Sequence, residues 1–522
     1  MTFTEELATF CKKKGFMYPS SEIYGGLAGF YDYGHLGTRL KHNFENIWRK
    51  YFLSLNDNFH EIETANIMPR DVFKASGHLE KFADPVVNCS ACGFKERADH
   101  FVERFLKKRV EGLTSEELTK EINKNKLFCP TCKSELEPVR SFNMMFPVQL
   151  GVAHKIYPKS VPALLTKSEE EQKNIAYLRP ETAQSPYVNF KLQYELLRKR
   201  MPLGLALIGR AYRNEISPRN VTLRLREFIQ AELQIFFNEA KINGHPLFEM
   251  VKEYKLRTVL IEDRERTKTV ERTAQSLVQK GLPKYYVYHL VKIQQFYLEI
   301  LKIPSEKFRF YQLNELERAF YNKYHFDFEV ELQEHSFTEV GGLHYRTDHD
   351  LEGHQRVSQE SMEVLDEETG KKFVPHVLEL SFGVDRNVYA LLDVNYENNK
   401  ERGNIILHLP SGLTPFFCGI FPLVKNKPEI AAKAEEIYND LKQQFSCLYD
   451  EAGSVGRRYA RADEIGVEYE ITIDFASLED NSVTIRDRET TKQVRVKITQ
   501  LSGLLQKLFA GKGFEDLGEK II

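Results

Sequence analysis

Period-two alternation is clearest in the stretch EFIQAELQIFF. Phe228, Gln230, Glu232, Gln234 and Phe236 fall on one face of a strand, and Ile229, Ala231, Leu233, Ile235 and Phe237 on the other. The second face is continuous hydrocarbon and packs on a core. The first carries two glutamines and a glutamate, which are costly to bury unless a ligand or partner groups meet them. The strand is therefore expected to be a site floor, or else an ordinary antiparallel strand with one solvated side. Its apolar neighbour is LALIGRAYRNE, a strand running from Leu205 into a charged turn. Further upstream, Leu40, Phe44, Ile47, Trp48, Tyr51 and Phe52 form the stripe of an amphipathic helix, serving either the core or a subunit interface. The segment before it, SSEIYGGLAGFYDYGHLG, sets glycines between aromatics, as suits a tight turn where backbone approaches something closely.

From Asn404 onward the pattern becomes short apolar strands alternating with amphipathic helices: IILHLPSGLTPFFCGIFPL, EIAAKAEEIYNDLKQQF, YEITIDF, SVTIRDRET, KQVRVKI and LSGLLQKLF. That order predicts a compact α/β domain with a parallel or mixed sheet. Residues 251–302 differ in charge, with eleven Lys/Arg against six Asp/Glu, and Tyr285, Tyr286 and Tyr288 lie beside Lys284. Basic groups interleaved with aromatics can track a phosphate backbone and stack on bases, and they equally describe a solvated helical face.

Composition narrows the class. The chain has 522 residues, 42% hydrophobic and 28% charged, which is ordinary for globular domains and argues against disorder or a coiled coil. The net charge of -2 excludes a protein that is basic throughout while allowing local basic surfaces. No apolar run has the length of a signal peptide or membrane span, so a cytoplasmic protein with no membrane partner is expected. Of the 7 cysteines, Cys89/Cys92 and Cys129/Cys132 form two C-x-x-C pairs. Two such knuckles suit tetrahedral zinc, the alternative being four free thiols in a reducing compartment. Thr114 and Glu117 form a capping box for a helix between the pairs.

The chemistry gathers where arginine meets carboxylate: RPET (179–182), RNEISPRNVTLRLREF (213–228) and ELSFGVDR (379–386). Arginine's fixed charge and planar fork match phosphate oxygens, so several arginines beside glutamates point to a polyphosphate held with a divalent ion. No P-loop sequence is present. The hairpin GRAYRNEISPRNVTLRLREFIQAELQIFF resembles motif 2 of class II aminoacyl-tRNA synthetases, specifically the glycyl-tRNA synthetases of homodimeric type. The resemblance extends along nearly the whole chain: SSEIYGGLAGFYDYGHLG, a helix from Thr38 to Pro69 (motif 1), the cysteine knuckles followed by FNMMFP, YLRPETAQ, motif 2, TEVGGLHYRTDHDL, ELSFGVDR (motif 3) and GSVGRRYARADEIGVEYEITID come in family order.

The resemblance implies an α+β catalytic domain over 1–403, an antiparallel sheet flanked by helices. It would contain a zinc-knuckle insertion at 86–140 and a helical, locally basic insertion at 241–330, followed by an α/β anticodon-binding domain over 404–522. It implies Arg213 and Arg386 as catalytic arginines on the α- and γ-phosphates of ATP. Around them it implies an ATP cradle of Asn214, Glu215, Leu223, Arg224, Leu225, Arg226, Glu227, Phe228, Glu339, Val340, Gly383, Val384 and Asp385. Glu215 would meet the adenine amino group and Phe228 would stack on the ring. For glycine it implies Arg97, Glu181, Phe228, Ile229, Gln230, Ala231, Glu232, Glu379, Leu380, Ser381, Phe382 and Gly383. Glu339 and Glu379 would bind magnesium with ATP, and Cys89, Cys92, Cys129 and Cys132 zinc. The implied reaction is adenylation of glycine and transfer to the 3′ end of tRNA(Gly), by a homodimer. Loss of the motif arginines would mark a relative that serves only as an RNA-binding subunit, and Arg213, Glu215 and Arg386 are all present. Sister class II enzymes for threonine, proline or histidine are the other alternative, against which Glu181 and Glu232 speak. Leu380, Gly341, His344 and Tyr345 depart from the family's pattern.

Overall fold

A computed structural model describes residues 1–107, 110, 113–151, 174–218, 221–266, 268–514, 517 and 519–521. Arg219 and Asn220 of the motif 2 segment lie outside the described residues.

A nine-stranded sheet organises the larger part of the chain. Its strands are β1 (Phe59–Glu61), β2 (Leu203–Tyr212), β3 (Glu227–Phe237), β4 (Lys255–Val259), β5 (Val270–Thr273), β6 (Phe308–Gln312), β7 (Tyr324–Leu332), β8 (Ser336–Thr347) and β9 (His376–Gly383). Their spatial order is β5-β4-β6-β7-β8-β9-β3-β2-β1. The neighbours are antiparallel except β1 with β2 and β4 with β6.

One face of this sheet is the core. Helix α1 (His35–Leu53) lays Leu36, Leu40, Phe44, Trp48 and Phe52 on it, beside Ala231, Leu233 and Ile235 of β3. Trp48 and Phe52 meet the Phe382 ring at centroid distances of 5.9 and 4.9 Å. The amphipathic stripe is thus spent inside the chain, where each fully buried large side chain stabilises by about 1.5–3 kcal/mol. The helix ends at Leu53, and Ile67–Pro69 is a short strand, so motif 1 does not continue as helix to Pro69. The glycines ahead of α1 allow the close approach their spacing suggested: a Cβ on Gly37 would lie 1.8 Å from the Phe16 carbonyl oxygen. On the other face, α2 (Gln184–Leu196) packs Tyr187 and Phe190 over Phe236, closing one end.

The 241–330 stretch departs from the helical expectation. It supplies β4, β5 and β6 and joins the main sheet, with α3 (Lys284–Gln295) packed against it. Tyr285, Tyr286 and Tyr288 are buried, and Tyr286 donates to the Leu343 carbonyl at 2.6 Å, so these rings are core and not a base-stacking surface. Several of the basic groups pair locally, as Arg272 does with Asp263 at 2.8 Å and Lys280 with Glu262 at 2.7 Å. β-Branched and aromatic positions on β4 and β6 outweighed the helical reading once a sheet edge was available to pair with.

The cysteine-bearing lobe forms a separate small core. Strands Ala83–Asn88, Lys95–Arg97 and Arg140–Asn143 carry helices Ala98–Leu106 and Ser115–Lys124, the latter with the expected Thr114–Glu117 capping box. The C-terminal domain is a six-stranded mixed sheet in which Cys418–Pro422 is parallel to both neighbours and the remaining pairs are antiparallel. Its core begins at Phe417, whereas Leu407, Leu409 and Leu413 belong to the core of the nine-stranded sheet. The hairpin Tyr396–Asn399 with Asn404–Leu407 spans the boundary expected at 403/404, so the division falls near residues 414–416.

Candidate functional site

Strand register builds the site floor in rows. On the face away from α1, Gly342 of β8 lies opposite Ser381 of β9, which lies opposite Glu232 of β3; in the next row His344, Glu379 and Gln234 are aligned. Above these rows is a cleft of about 960 Å³, part of it open to solvent, lined at one end by Arg213, Glu215, Arg224, Glu339 and Arg386 and at the other by Glu181, Glu232, Glu379 and Arg346.

The arginine end is held by backbone. Arg213 donates Nε to the Pro180 carbonyl at 3.0 Å, and its guanidinium carbon lies 5.5 and 5.2 Å from the Phe82 and Phe228 ring centres. Arg386 donates Nε to the Leu223 carbonyl at 3.1 Å and pairs with Glu339 at 3.0 Å. Asp385, beside it, receives Tyr33 Oη and the Ile229 N–H, both at 2.6 Å, and so ties the motif 3 helix (α5, Val384–Asn395, when counted after α4, His349–Ser358) to β3. The arginine forks are consequently fixed before any anion arrives.

The opposite end holds four buried carboxylates around one buried arginine. Arg346 binds Asp350 at 2.8 Å, Glu379 at 3.1 Å and Glu181 at 3.3 Å. Gln184 bridges Glu181 and Asp350 at 2.9 Å each. Glu232 receives Thr182 Oγ1 at 2.6 Å, Ser381 Oγ at 2.7 Å and Gln230 Nε2 at 2.9 Å. Burial opposes ionisation of Glu181, but Arg346 and His78 hold its carboxyl well below the usual range. Burial, with Glu379 and Glu181 nearby, pushes Glu232 up to about 8. Its donors favour a carboxylate and its burial favours a proton; the Thr182 or Ser381 hydroxyl can turn to accept from the protonated form. An excess of carboxylate over arginine in a water-poor pocket is a receptor for a cation.

The structure brings most expected residues to this cleft. Arg213, Glu215, Leu223, Arg224, Leu225, Phe228, Gln230, Glu339, Val340, Glu379, Ser381, Gly383, Asp385, Arg386, Glu181 and Glu232 line it, and Ile229 borders it while its side chain packs on the core. Others are placed elsewhere. Ala231, Leu380 and Phe382 point into the core because alternation along β3 and β9 turns every second residue away, and Val384 is buried in the same core at the start of the motif 3 helix. Asn214 donates its N–H to the Met144 carbonyl at 2.7 Å, Arg226 bonds the Glu215 and Ala28 carbonyls, and Glu227 pairs with Arg210. Arg97 is engaged by Asp99 at 2.5 Å and Asp84 at 3.2 Å and does not line the cleft. Of the two carboxylates expected to share magnesium, Glu339 pairs with Arg386 at 3.0 Å, whereas Glu379 lies opposite His344 in the second row of the floor. Glu379 is moreover committed to Arg346 and Gln234.

Sequence reasoning missed Arg346, Asp350, Gln184 and Tyr321, while Gln234 was already on the polar face expected to be the floor. One signal was available: in GGLHYRTD, Gly342, His344 and Arg346 alternate with apolar Leu343 and Tyr345, a second polar-faced strand beside β3.

The four knuckle thiols converge. Cys89 and Cys132 are 3.5 Å apart at Sγ, as are Cys92 and Cys129, and all four sulfurs lie within 4.8 Å of one another. Tetrahedral zinc with 2.3 Å bonds needs sulfurs about 3.8 Å apart, so the set fits that ion.

Comparison with known proteins follows the same division. The family model described as tRNA synthetase class II core domain (G, H, P, S and T) matches residues 166–395, and the anticodon binding domain matches 418–508. The chain is 38% identical to a glycine–tRNA ligase of Pyrococcus horikoshii across 97% of this chain and 99% of that one. It is 34% identical to the glycine–tRNA ligase of Aeropyrum pernix, covering 99% of each, and 35% identical to that of Methanothermobacter thermautotrophicus, covering 97% and 99%. Among solved structures, prolyl-tRNA synthetase of Cryptosporidium parvum complexed with L-proline and AMP superposes with a TM-score of 0.56 over 98% of this chain and 75% of that one; at 11% identity this speaks for the fold alone.

Proposed function

The chain belongs to the glycine–tRNA ligases among the class II aminoacyl-tRNA synthetases, and from this premise we propose how its cleft divides the work. The carboxylate end takes the glycine ammonium, with Glu232, Glu181 and Ser381 as its contacts. The arginine end takes ATP, with Phe228 against the adenine, Arg213 on the α-phosphate and Arg386 on the γ-phosphate. Magnesium, when bound, neutralises phosphate charge, and Glu339 beside Arg386 is the carboxylate placed to hold it. The glycine carboxylate attacks the α-phosphorus, Arg213 stabilises charge growing on the phosphoryl oxygens, and pyrophosphate leaves. The 3′-hydroxyl of tRNA(Gly) then attacks the adenylate carbonyl. No side chain becomes a covalent nucleophile; the rate comes from positioning and from donors fixed in advance.

The observation that carries this reading is the buried cation receptor lying in one cleft with backbone-anchored arginines. ATP–pyrophosphate exchange tests it. Exchange is expected with glycine and magnesium, and Arg213→Ala should lose about 100-fold or more in rate with the fold intact. Near-normal exchange in that variant would remove Arg213 from its role.

The proposal includes one zinc ion on the four thiolates, the domain limits drawn from the cores, a cytoplasmic location and a two-fold dimer. For location, what supports it is that among the described residues no helix is long and apolar enough to cross a membrane. For the dimer, the support is the family resemblance, since the α1 stripe is used within the chain; sedimentation equilibrium tests it.

A further inference from the structure

Recognition of an ammonium group cannot select glycine, because every amino acid carries one. Selection needs something that occupies the space beside Cα. At the carboxylate end that space adjoins Gly342, at the edge of the Ser381–Glu232 row. A Cβ on Gly342 would lie 2.5 Å from His344 Nε2, 2.9 Å from its Cε1 and 3.3 Å from His325 Nε2. The notch left by the glycine is therefore filled by imidazole. His344 stands two residues along β8 on the same face, and His325 is its register partner on β7. Their ring centres are 4.0 Å apart.

The His344 ring is held at its far nitrogen, and both rings have a carboxylate beside the nitrogen that faces the notch. Asn322 Nδ2 is 3.2 Å from His344 Nδ1, Asp327 Oδ1 is 2.9 Å from His325 Nε2, and Glu379 Oε1 is 3.7 Å from His344 Nε2. Tyr321 is already spent against the Arg346 guanidinium at 4.2 Å. Of the two histidines, His344 alone lines the cleft. Burial, reinforced by His325 and Arg346, lowers its pKa, so it presents a neutral ring beside the carboxylates.

We propose that His344, backed by His325 and seated in the notch of Gly342, is the wall that limits the amino-acid site to glycine. The inference rests on the reading of the carboxylate end as the glycine site. His344 is a positioning and size-setting residue that donates nothing to the reaction. A methyl on the substrate meets the imidazole, and the ring cannot retreat because His325 and Asn322 stand behind it.

Exchange kinetics with glycine and with alanine separate the possibilities. Gly342→Ala should lower kcat/KM for glycine by about tenfold or more, leaving the KM for ATP in place. His344→Ala should raise the alanine-to-glycine ratio of kcat/KM by about tenfold or more. The double variant Gly342→Ala/His344→Ala should recover glycine exchange relative to Gly342→Ala, because the new methyl then occupies vacated space. If His344→Ala does not fold, His344→Asn, which keeps a polar group beside Asn322, is read in the same way. Equal losses with both amino acids in the His344 variant, or a double variant no better than Gly342→Ala, would overturn the wall. Wild-type exchange with an amino acid other than glycine would instead sink the reading of the cleft itself.

Discussion

Arg346 is the residue on which the carboxylate end depends. Its guanidinium is buried and contacts Glu181, Asp350 and Glu379 together. Replacing it by methionine keeps the volume and removes the cation that three carboxylates share, leaving Glu181 with His78 alone, so the catalytic domain should lose about 3–5 kcal/mol, with lysine an incomplete substitute for the planar fork. Urea unfolding measures this, and the loss should shrink at low pH as the carboxylates take protons. Glu232 makes a sharper pH test. In the folded chain it keeps its proton up to about 8, against 4.5 for the unperturbed group. Between those values the folded state binds more protons than the unfolded state, so this group's contribution makes stability fall as pH rises. Stability of the wild type relative to Glu232→Gln should therefore decline across that window, and saturating glycine should flatten the decline because the ammonium answers the charge. A flat difference without glycine would mean that Glu232 is ionised throughout. Glu232 and Ser381 were legible because their strands alternate cleanly. Arg346 was not, since its partners lie up to 165 positions away in sequence and no local pattern records that meeting.

At the scale of elements, legibility followed whether the deciding contacts were local. The Thr114 capping box, the α1 stripe and the two knuckles each declare themselves within a few residues, and each is present. Strands β4, β5 and β6 owe their form to pairing across the sheet, which composition and charge could not register. The knuckle lobe is small: eight fully or nearly buried hydrophobics form its core, too few to expect stability without a further constraint. Elemental analysis is expected to find about one zinc per chain. Cys129→Ser should lose the metal and add an early unfolding transition confined to the lobe. The lobe's base touches the site, through the Asn214 N–H on the Met144 carbonyl and through Phe82 beside Arg213, so ATP binding should weaken in that variant while glycine discrimination stays in place. Full zinc loss with unchanged unfolding and unchanged ATP binding would leave the thiolates without a structural role.

For the whole molecule, the question is where catalysis ends and RNA recognition begins. The Pro/Gly-rich turn after Leu409 looks like punctuation in the sequence, but the core ignores it: Leu407, Leu409 and Leu413 are fully buried among catalytic-domain side chains. A clasp lies just beyond, where His408 meets Glu397 at 2.7 Å and Glu489 at 2.6 Å and Arg402 donates to the Arg488 and Glu489 carbonyls. The two domains therefore share an interface but not a core, and a chain cut inside the core should behave differently from one cut outside it. Ending the protein at residue 403 removes three buried leucines, each worth about 2–5 kcal/mol when its site is emptied, and should give an unstable product. Ending it at residue 416 keeps them. That longer truncation should fold, retain ATP–pyrophosphate exchange with glycine and lose charging of tRNA(Gly), because adenylate chemistry needs only the cleft while the part removed is the one that matches the anticodon binding domain. Exchange lost in the folded 416-residue chain would show that the anticodon-binding domain supports the cleft as well as the tRNA, and the clasp at His408 would be the contact through which it does so.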